Sequence, residues 1–241
     1  IEASITSKSR ILIINDQHNP SSAEASAEEL QRLADVAIKH DLYVLADEAY
    51  FDIRYAGISR SIVSLPGMVE RTMILYTFSK KFAMTGWRLG GSIGPKELIE
   101  MVIKMNVNDE SCSNHFVQYG AIEALTGDQS NCQRIIDTLR GRRDRAVEIL
   151  NSIDGVHCYR PEATFYLYPN VTEAMKRTAG DDYDAFRAMA LRETGVSFCT
   201  RMHFGRPFPG ESERHIRLAY SGIDIGEIEE GLTLLKDLAE R

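Results

Sequence analysis

The stretch Thr77-Phe78-Ser79-Lys80-Lys81-Phe82-Ala83-Met84-Thr85-Gly86-Trp87-Arg88 decides the reading of this chain. It joins two short apolar runs, Met73-Ile74-Leu75-Tyr76-Thr77 before it and Leu89-Gly90-Gly91-Ser92-Ile93 at its end. Both runs have the length and composition of strands, so the stretch is a loop fed and drained by a sheet. The loop brings a hydroxyl residue, two adjacent lysines and an arginine to one place. Taken by itself a lysine is a solvated charge, and nothing local separates Lys80 from Lys81.

Outward from that loop the pattern alternates. Ile11-Leu12-Ile13-Ile14 is a β-branched run that ends in Asn15-Asp16 and reads as a buried parallel strand followed by a loop. Ser26 with Glu29 three positions on forms a capping box, and Leu30, Leu33, Ala34, Ala37 and Ile38 then recur at helical spacing. Leu42-Tyr43-Val44-Leu45-Ala46 is the next strand. Strand, helix, strand at this spacing predicts an α/β fold built on a mostly parallel sheet. From Pro95 the pattern turns helical, over 96–105, 115–125 and a long arginine-rich stretch at 132–153. Beyond it, 164–168, 196–199 and 216–220 read as strands of a smaller α+β unit, with helices at 183–193 and 225–241. The expected domains are 1–147, a large domain with part of the bridging helix, and 148–241, a small C-terminal domain.

Composition bounds the function classes. The chain has 241 residues, is 44% hydrophobic and 26% charged, and carries a net charge of −7. Such a balance is that of a globular domain with a sizeable core, and it argues against nucleic-acid binding. No apolar run is long enough to span a bilayer as a helix. The four cysteines, Cys112, Cys132, Cys158 and Cys199, are scattered without CxxC spacing, and the six histidines do not fall at ligand spacing with them. Reduced thiols in a cytoplasmic protein are expected, with no metal site.

Four further places carry polar chemistry. Asp47-Glu48-Ala49-Tyr50 ends a strand, where open α/β sheets bind ligands. His18-Asn19-Pro20 follows the first strand, and Asn-Pro is in its own right a turn signal. Arg217 lies within His215-Ile216-Arg217-Leu218-Ala219-Tyr220, an otherwise apolar strand where an unpaired charge would be costly. Arg201, His203 and Arg206 cluster shortly before it, without a readable role.

Together these segments resemble the fold-type I, pyridoxal-phosphate-dependent aminotransferases of classes I and II, over essentially the whole chain. The resemblance implies that Lys80, directly after Ser79, condenses with the aldehyde of pyridoxal 5'-phosphate and later shuttles a proton. It implies that Thr77, Ser79 and Arg88 hold the cofactor phosphate, and that Asp47 pairs with the ring nitrogen. Tyr50 and Asn19 would contact the ring oxygen, and Arg217 would grip the substrate α-carboxylate as a fork. The implied activity moves an amino group between an amino acid and a 2-oxo acid, in a cytoplasmic homodimer. A β-lyase, decarboxylase or synthase on the same scaffold, or a non-catalytic sensing domain, are the alternatives.

Two departures from the family pattern stand out. Ser21-Ser22 follows Asn19-Pro20 where Thr-Gly or Ser-Gly is usual, and Ala163 in Pro161-Glu162-Ala163-Thr164-Phe165-Tyr166 replaces a glycine. The family is also normally longer at its N-terminus, with a glycine-containing phosphate loop and a ring-stacking aromatic. The expectation is therefore a C-terminal portion of such an enzyme that binds cofactor weakly or not at all and is inactive in isolation.

Overall fold

A computed structural model describes residues 1–241 and divides them into two compact units. The first comprises Ile1–Gln17 and Ala23–Arg134, the second His18–Ser22 and Ile135–Arg241. The division falls between Arg134 and Ile135, inside the long helix, whereas the sequence reading draws it between 147 and 148.

The first unit is built on a sheet of β1 (Ile11–Asn15), β2 (Tyr43–Asp47), β3 (Thr72–Thr77) and β4 (Gly90–Ile93), in that spatial order. β1, β2 and β3 are parallel and β4 is antiparallel to β3. Helix α1 (Ala27–Lys39) makes the crossover between β1 and β2. It starts where the capping box forms: the Glu29 amide donates to Ser26 Oγ at 3.1 Å, and the Ser26 amide to Glu29 Oε2 at 2.8 Å. Its buried stripe of Leu30, Ala34 and Ala37 packs on Leu42, Val44, Ala46, Ile62 and Met68. Leu12 and Ile14 join that core.

β1 departs from expectation. It is parallel, but Ile11 and Ile13 are 59% and 68% exposed. The strand is an edge of the sheet, and alternate side chains point to opposite faces. Only the face under α1 is covered, so half of the apolar run is left in the open. Two more helices, α2 (Lys96–Asp109) and α3 (His115–Thr126), complete this unit, and α4 (Ser130–Leu150) leads out of it.

The second unit has a three-stranded antiparallel sheet in the order β5 (Tyr166–Leu167), β7 (Ile216–Ala219), β6 (Cys199–Thr200). Helices α5 (Thr172–Ala179), α6 (Tyr183–Thr194) and α7 (Ile225–Ala239) pack with it. The strand expected over 164–168 shrinks to two residues, because Thr164 takes a left-handed backbone with φ 68° that ends the extended run. The strand expected over 196–199 begins only at Cys199. Helix α5 has no counterpart in the sequence pattern: at 8 residues it is too short to show a clear periodicity. Leaving the edges to β5 and β6 puts β7, and Arg217 with it, at the centre of this sheet.

Candidate active site

In the first unit the strand ends organise the polar groups. Asn15 and Asp47 are register partners at the C-termini of β1 and β2. Asn15 Nδ2 donates to Asp47 Oδ2 at 2.6 Å, and the Ala49 amide donates to Oδ1 at 3.2 Å. Both carboxylate oxygens therefore have a donor, which fixes the orientation of the group. Tyr50 follows on the same loop and is buried. Lys80 Nζ lies 5.5 Å from the centre of the Tyr50 ring.

The adjacent lysines have different surroundings. Lys81 Nζ is 3.6 Å from Asp52, which also accepts from the Tyr76 hydroxyl at 3.0 Å. Burial, together with that carboxylate, pushes the Tyr76 phenol well above its ordinary range. Both lysines lie over aromatic rings, Lys80 over Tyr50 and Lys81 over Phe82 at 5.1 Å, and Lys81 is in addition engaged with Asp52.

Behind Lys80 a chain of hydrogen bonds shapes the loop. The Ser79 amide donates to Thr77 Oγ1 at 3.2 Å, Thr85 Oγ1 donates to the Ser79 carbonyl at 3.1 Å, and Arg88 Nη1 donates to the Thr85 carbonyl at 3.1 Å. Arg88 holds a left-handed backbone with φ 54° as the chain turns into β4. The turn is tight: a Cβ on Gly90 would stand 2.8 Å from the Tyr76 carbonyl oxygen, so only glycine fits opposite Thr77.

The second unit holds the other two candidates together. Arg217 Nη1 donates to Asn19 Oδ1 at 2.8 Å, and Nη2 to Cys199 Sγ at 3.4 Å. The guanidinium carbon lies 4.5 Å from the centre of the Tyr166 ring and 4.9 Å from that of Phe204. No carboxylate stands within ion-pair distance of it, and its Nε is buried with no hydrogen-bond partner. Neighbouring arginines differ sharply. Arg201 pairs with Glu211 at 3.0 Å, Arg214 with Asp181 at 2.6 Å, and the buried Arg143 with Asp144 at 2.8 Å. A half-buried cation with an unmet donor is a ready anion site.

Arg201 is thereby occupied, and His203 caps a turn by accepting from the Thr200 amide at 3.1 Å. An apolar cleft of about 420 Å³ elsewhere in this unit is lined by Val196, Leu218 and Ile228 among others, and by none of the candidate residues.

Sequence reasoning missed Asn15, Tyr166 and Phe204. The only local signal for Asn15 is a polar residue closing an apolar run; its partner lies 32 positions on and is found only through strand register. The residues present fit the cofactor that the resemblance implies: a carboxylate held by two donors, a lysine beside a buried tyrosine, hydroxyls beside an arginine, and a guanidinium without an acid.

The model of the family described as aminotransferase class I and II matches residues 1–235. The aspartate aminotransferase of Musicola paradisiaca is 36% identical over 92% of this chain and 54% of its own length. The asparagine–oxo-acid transaminase of Streptococcus mutans is 31% identical over 100% of this chain and 60% of its own. Among solved structures, the aromatic aminotransferase from Pyrococcus horikoshii superposes with a TM-score of 0.90 at 30% identity, covering 99% of this chain and 62% of that one. The chain thus spans little more than half the length of the relatives it matches. Over that span its sequence and its fold agree with theirs, and the chain belongs to the class I and II aminotransferases.

Proposed function

We propose that this chain carries part of the active site of a pyridoxal-phosphate-dependent enzyme that moves an amino group between an amino acid and a 2-oxo acid. The observation that carries the reading is the place of Lys80: it follows Ser79 in the loop between β3 and β4, with its Nζ 5.5 Å from the centre of the buried Tyr50 ring, while Lys81 is paired with Asp52. When bound, pyridoxal 5'-phosphate supplies an electron-poor ring that takes up the pair left at the substrate Cα after its proton departs.

The roles follow from the chemistry of each side chain. Lys80 would hold the cofactor through Nζ, and the same amine would carry the proton to and from the substrate Cα. Asp47, oriented by Asn15 and the Ala49 amide, keeps a proton on the ring nitrogen. Tyr50 and Asn19 donate to the ring oxygen. Thr77, Ser79 and Arg88 bind the phosphate, for which a planar guanidinium is well suited. Arg217, close to two aromatic rings, receives the substrate α-carboxylate. The reading includes a cytoplasmic homodimer, as the family resemblance implies; no helix is long and apolar enough to cross a membrane.

Relatives named for aspartate, asparagine and aromatic amino acids all match, so the side-chain preference is left to a substrate panel. The decisive experiment is borohydride reduction of the intact, full-length protein in the presence of pyridoxal phosphate, followed by peptide mapping. The label is expected on Lys80 and persists in Lys81→Arg. A label on Lys81, or none, overturns the assignment. Product analysis with and without an added 2-oxo acid then separates amino transfer from elimination: transfer depends on the acceptor.

A further inference from the structure

Two hydroxyl residues in the second unit stand in backbone conformations that side chains disfavour. Ser22 has φ 58° and Thr164 has φ 68°. For a β-branched residue such a conformation is strained and persists only where the surroundings impose it. Both residues are buried, Thr164 completely.

Their side chains meet. Ser22 Oγ and Thr164 Oγ1 are 2.5 Å apart, and Ser22 Oγ donates to the Tyr166 carbonyl at 2.9 Å. The Tyr166 amide donates to Thr164 Oγ1 at 3.0 Å. Ser22 has one hydroxyl proton and spends it on the carbonyl, so Thr164 is the donor in the contact between the hydroxyls. The bonds close a ring: Tyr166 N–H to Thr164, Thr164 O–H to Ser22, Ser22 O–H back to the Tyr166 carbonyl. Because β5 is an edge strand, these hydroxyls satisfy backbone groups of Tyr166 that a further strand would otherwise pair. A closed chain of this kind polarises each of its bonds in the same sense.

The ring touches both walls of the Arg217 site. Tyr166 stacks on the guanidinium, and Ser22 ends the segment that carries Asn19, the acceptor for Arg217 Nη1. Ser22 is also where the chain departs from the Asn-Pro-x-Gly pattern. A serine thus occupies a left-handed position suited to glycine, and its hydroxyl is used.

We propose that Ser22 and Thr164 are positioning residues: their hydroxyl ring holds Asn19 and Tyr166 in the places that orient the Arg217 guanidinium for a carboxylate. The functional half of this statement rests on the reading of Arg217 given above; the ring itself does not.

The test has two arms on the full chain. In the first, amide hydrogen exchange is followed at Tyr166 and across His18–Ser22. Ser22→Ala and Thr164→Val, which keeps the branched shape, are each expected to accelerate exchange at least tenfold. Thr164→Ser restores the slow rate, and the double variant is no faster than the quicker single one, because either change opens the same ring. Unchanged exchange, or effects that multiply, overturns the lock. Should one variant fail to fold, the other decides.

The second arm titrates maleate as a carboxylate probe, read by NMR shifts at Cys199 and Arg217. Its affinity is expected to fall about tenfold in both hydroxyl variants, to recover in Thr164→Ser, and to vanish in Arg217→Gln. Faster exchange with unchanged maleate affinity makes the ring structural only and overturns the positioning role. No maleate uptake by the unmodified chain, or equal uptake by Arg217→Gln, counts instead against Arg217 as the carboxylate site and leaves the exchange arm to judge the lock.

Discussion

The two units treat their apolar residues differently. In the second, α7 buries Ile228, Leu232, Leu235, Leu238 and Ala239, a full stripe at helical spacing. In the first, α2 buries nothing, and Met101, Ile103, Met105 and Val107 are all more than half exposed. Phe116, Tyr119, Ile122 and Leu125 on α3 are similarly open, and so is every residue of β4. The core of the first unit is concentrated where α1 meets β1 and β2. Within this chain, which spans little more than half the length of its relatives, packing therefore supports α7 and leaves α2 uncovered. Helical stability in proteins comes mostly from tertiary burial of one face, so the two helices should respond unequally to the same kind of truncation.

The largest expected effect is on stability. Leu235→Ala in α7 should cost about 2–5 kcal/mol, through lost transfer energy and a residual cavity. Ile103→Ala in α2 should fall within about 0.5 kcal/mol, as surface changes do. Denaturant titration of both variants checks the contrast. Comparable losses would show that the apolar face of α2 is covered in solution.

A smaller effect is expected at the strand ends. Asn15→Ala removes a hydrogen bond to a carboxylate, worth about 1.5–3 kcal/mol for charged partners. If Asp47 serves the cofactor ring, pyridoxal phosphate affinity should drop roughly tenfold or more, with the fold retained. Fluorescence titration measures this, and an unchanged affinity would separate the Asn15–Asp47 pair from cofactor binding.

The smallest effect is a difference of sign with pH. In the second unit, burial lowers the pKa of His18 and His215 below the ordinary imidazole value. Each is held neutral in the fold, so its contribution is present above about pH 6.5, the usual unfolded value, and is lost as pH falls through it. In the first unit, burial raises Asp16 and Glu48 above the ordinary carboxyl range. Their folded state takes up protons more readily, so their contribution grows as pH falls and is lost as pH rises through the folded values. Between pH 7 and pH 5, protection from hydrogen exchange, corrected for the intrinsic pH dependence of amide exchange, should therefore fall more in the second unit than in the first. An equal loss of protection in both would rule out control by these groups.

Much of the site is legible in the amino-acid sequence. Lys80, Asp47 and Arg88 stand out as candidates because loop chemistry and strand ends are local, and the spacing between them survives in one dimension. The capping box at Ser26 and Glu29 can be read for the same reason. The exposed half of β1 cannot: Ile11 and Ile13 look identical to Leu12 and Ile14 until the sheet order makes β1 an edge. Thr164 likewise reads as part of a strand, since nothing in its neighbours announces a φ of 68°.

What the amino-acid order determined by itself was therefore the alternation of elements, the family, and the set of candidate residues for chemistry. Tertiary structure alone decided which of those residues have partners. Lys81 finds Asp52, Asp47 finds Asn15, and Ser22 finds Thr164 at a separation of 142 positions, while Arg217 reaches no acid. The reason is physical: periodicity and capping act over a few residues, but whether a charge is compensated depends on what distant strands bring within about 3–4 Å of it.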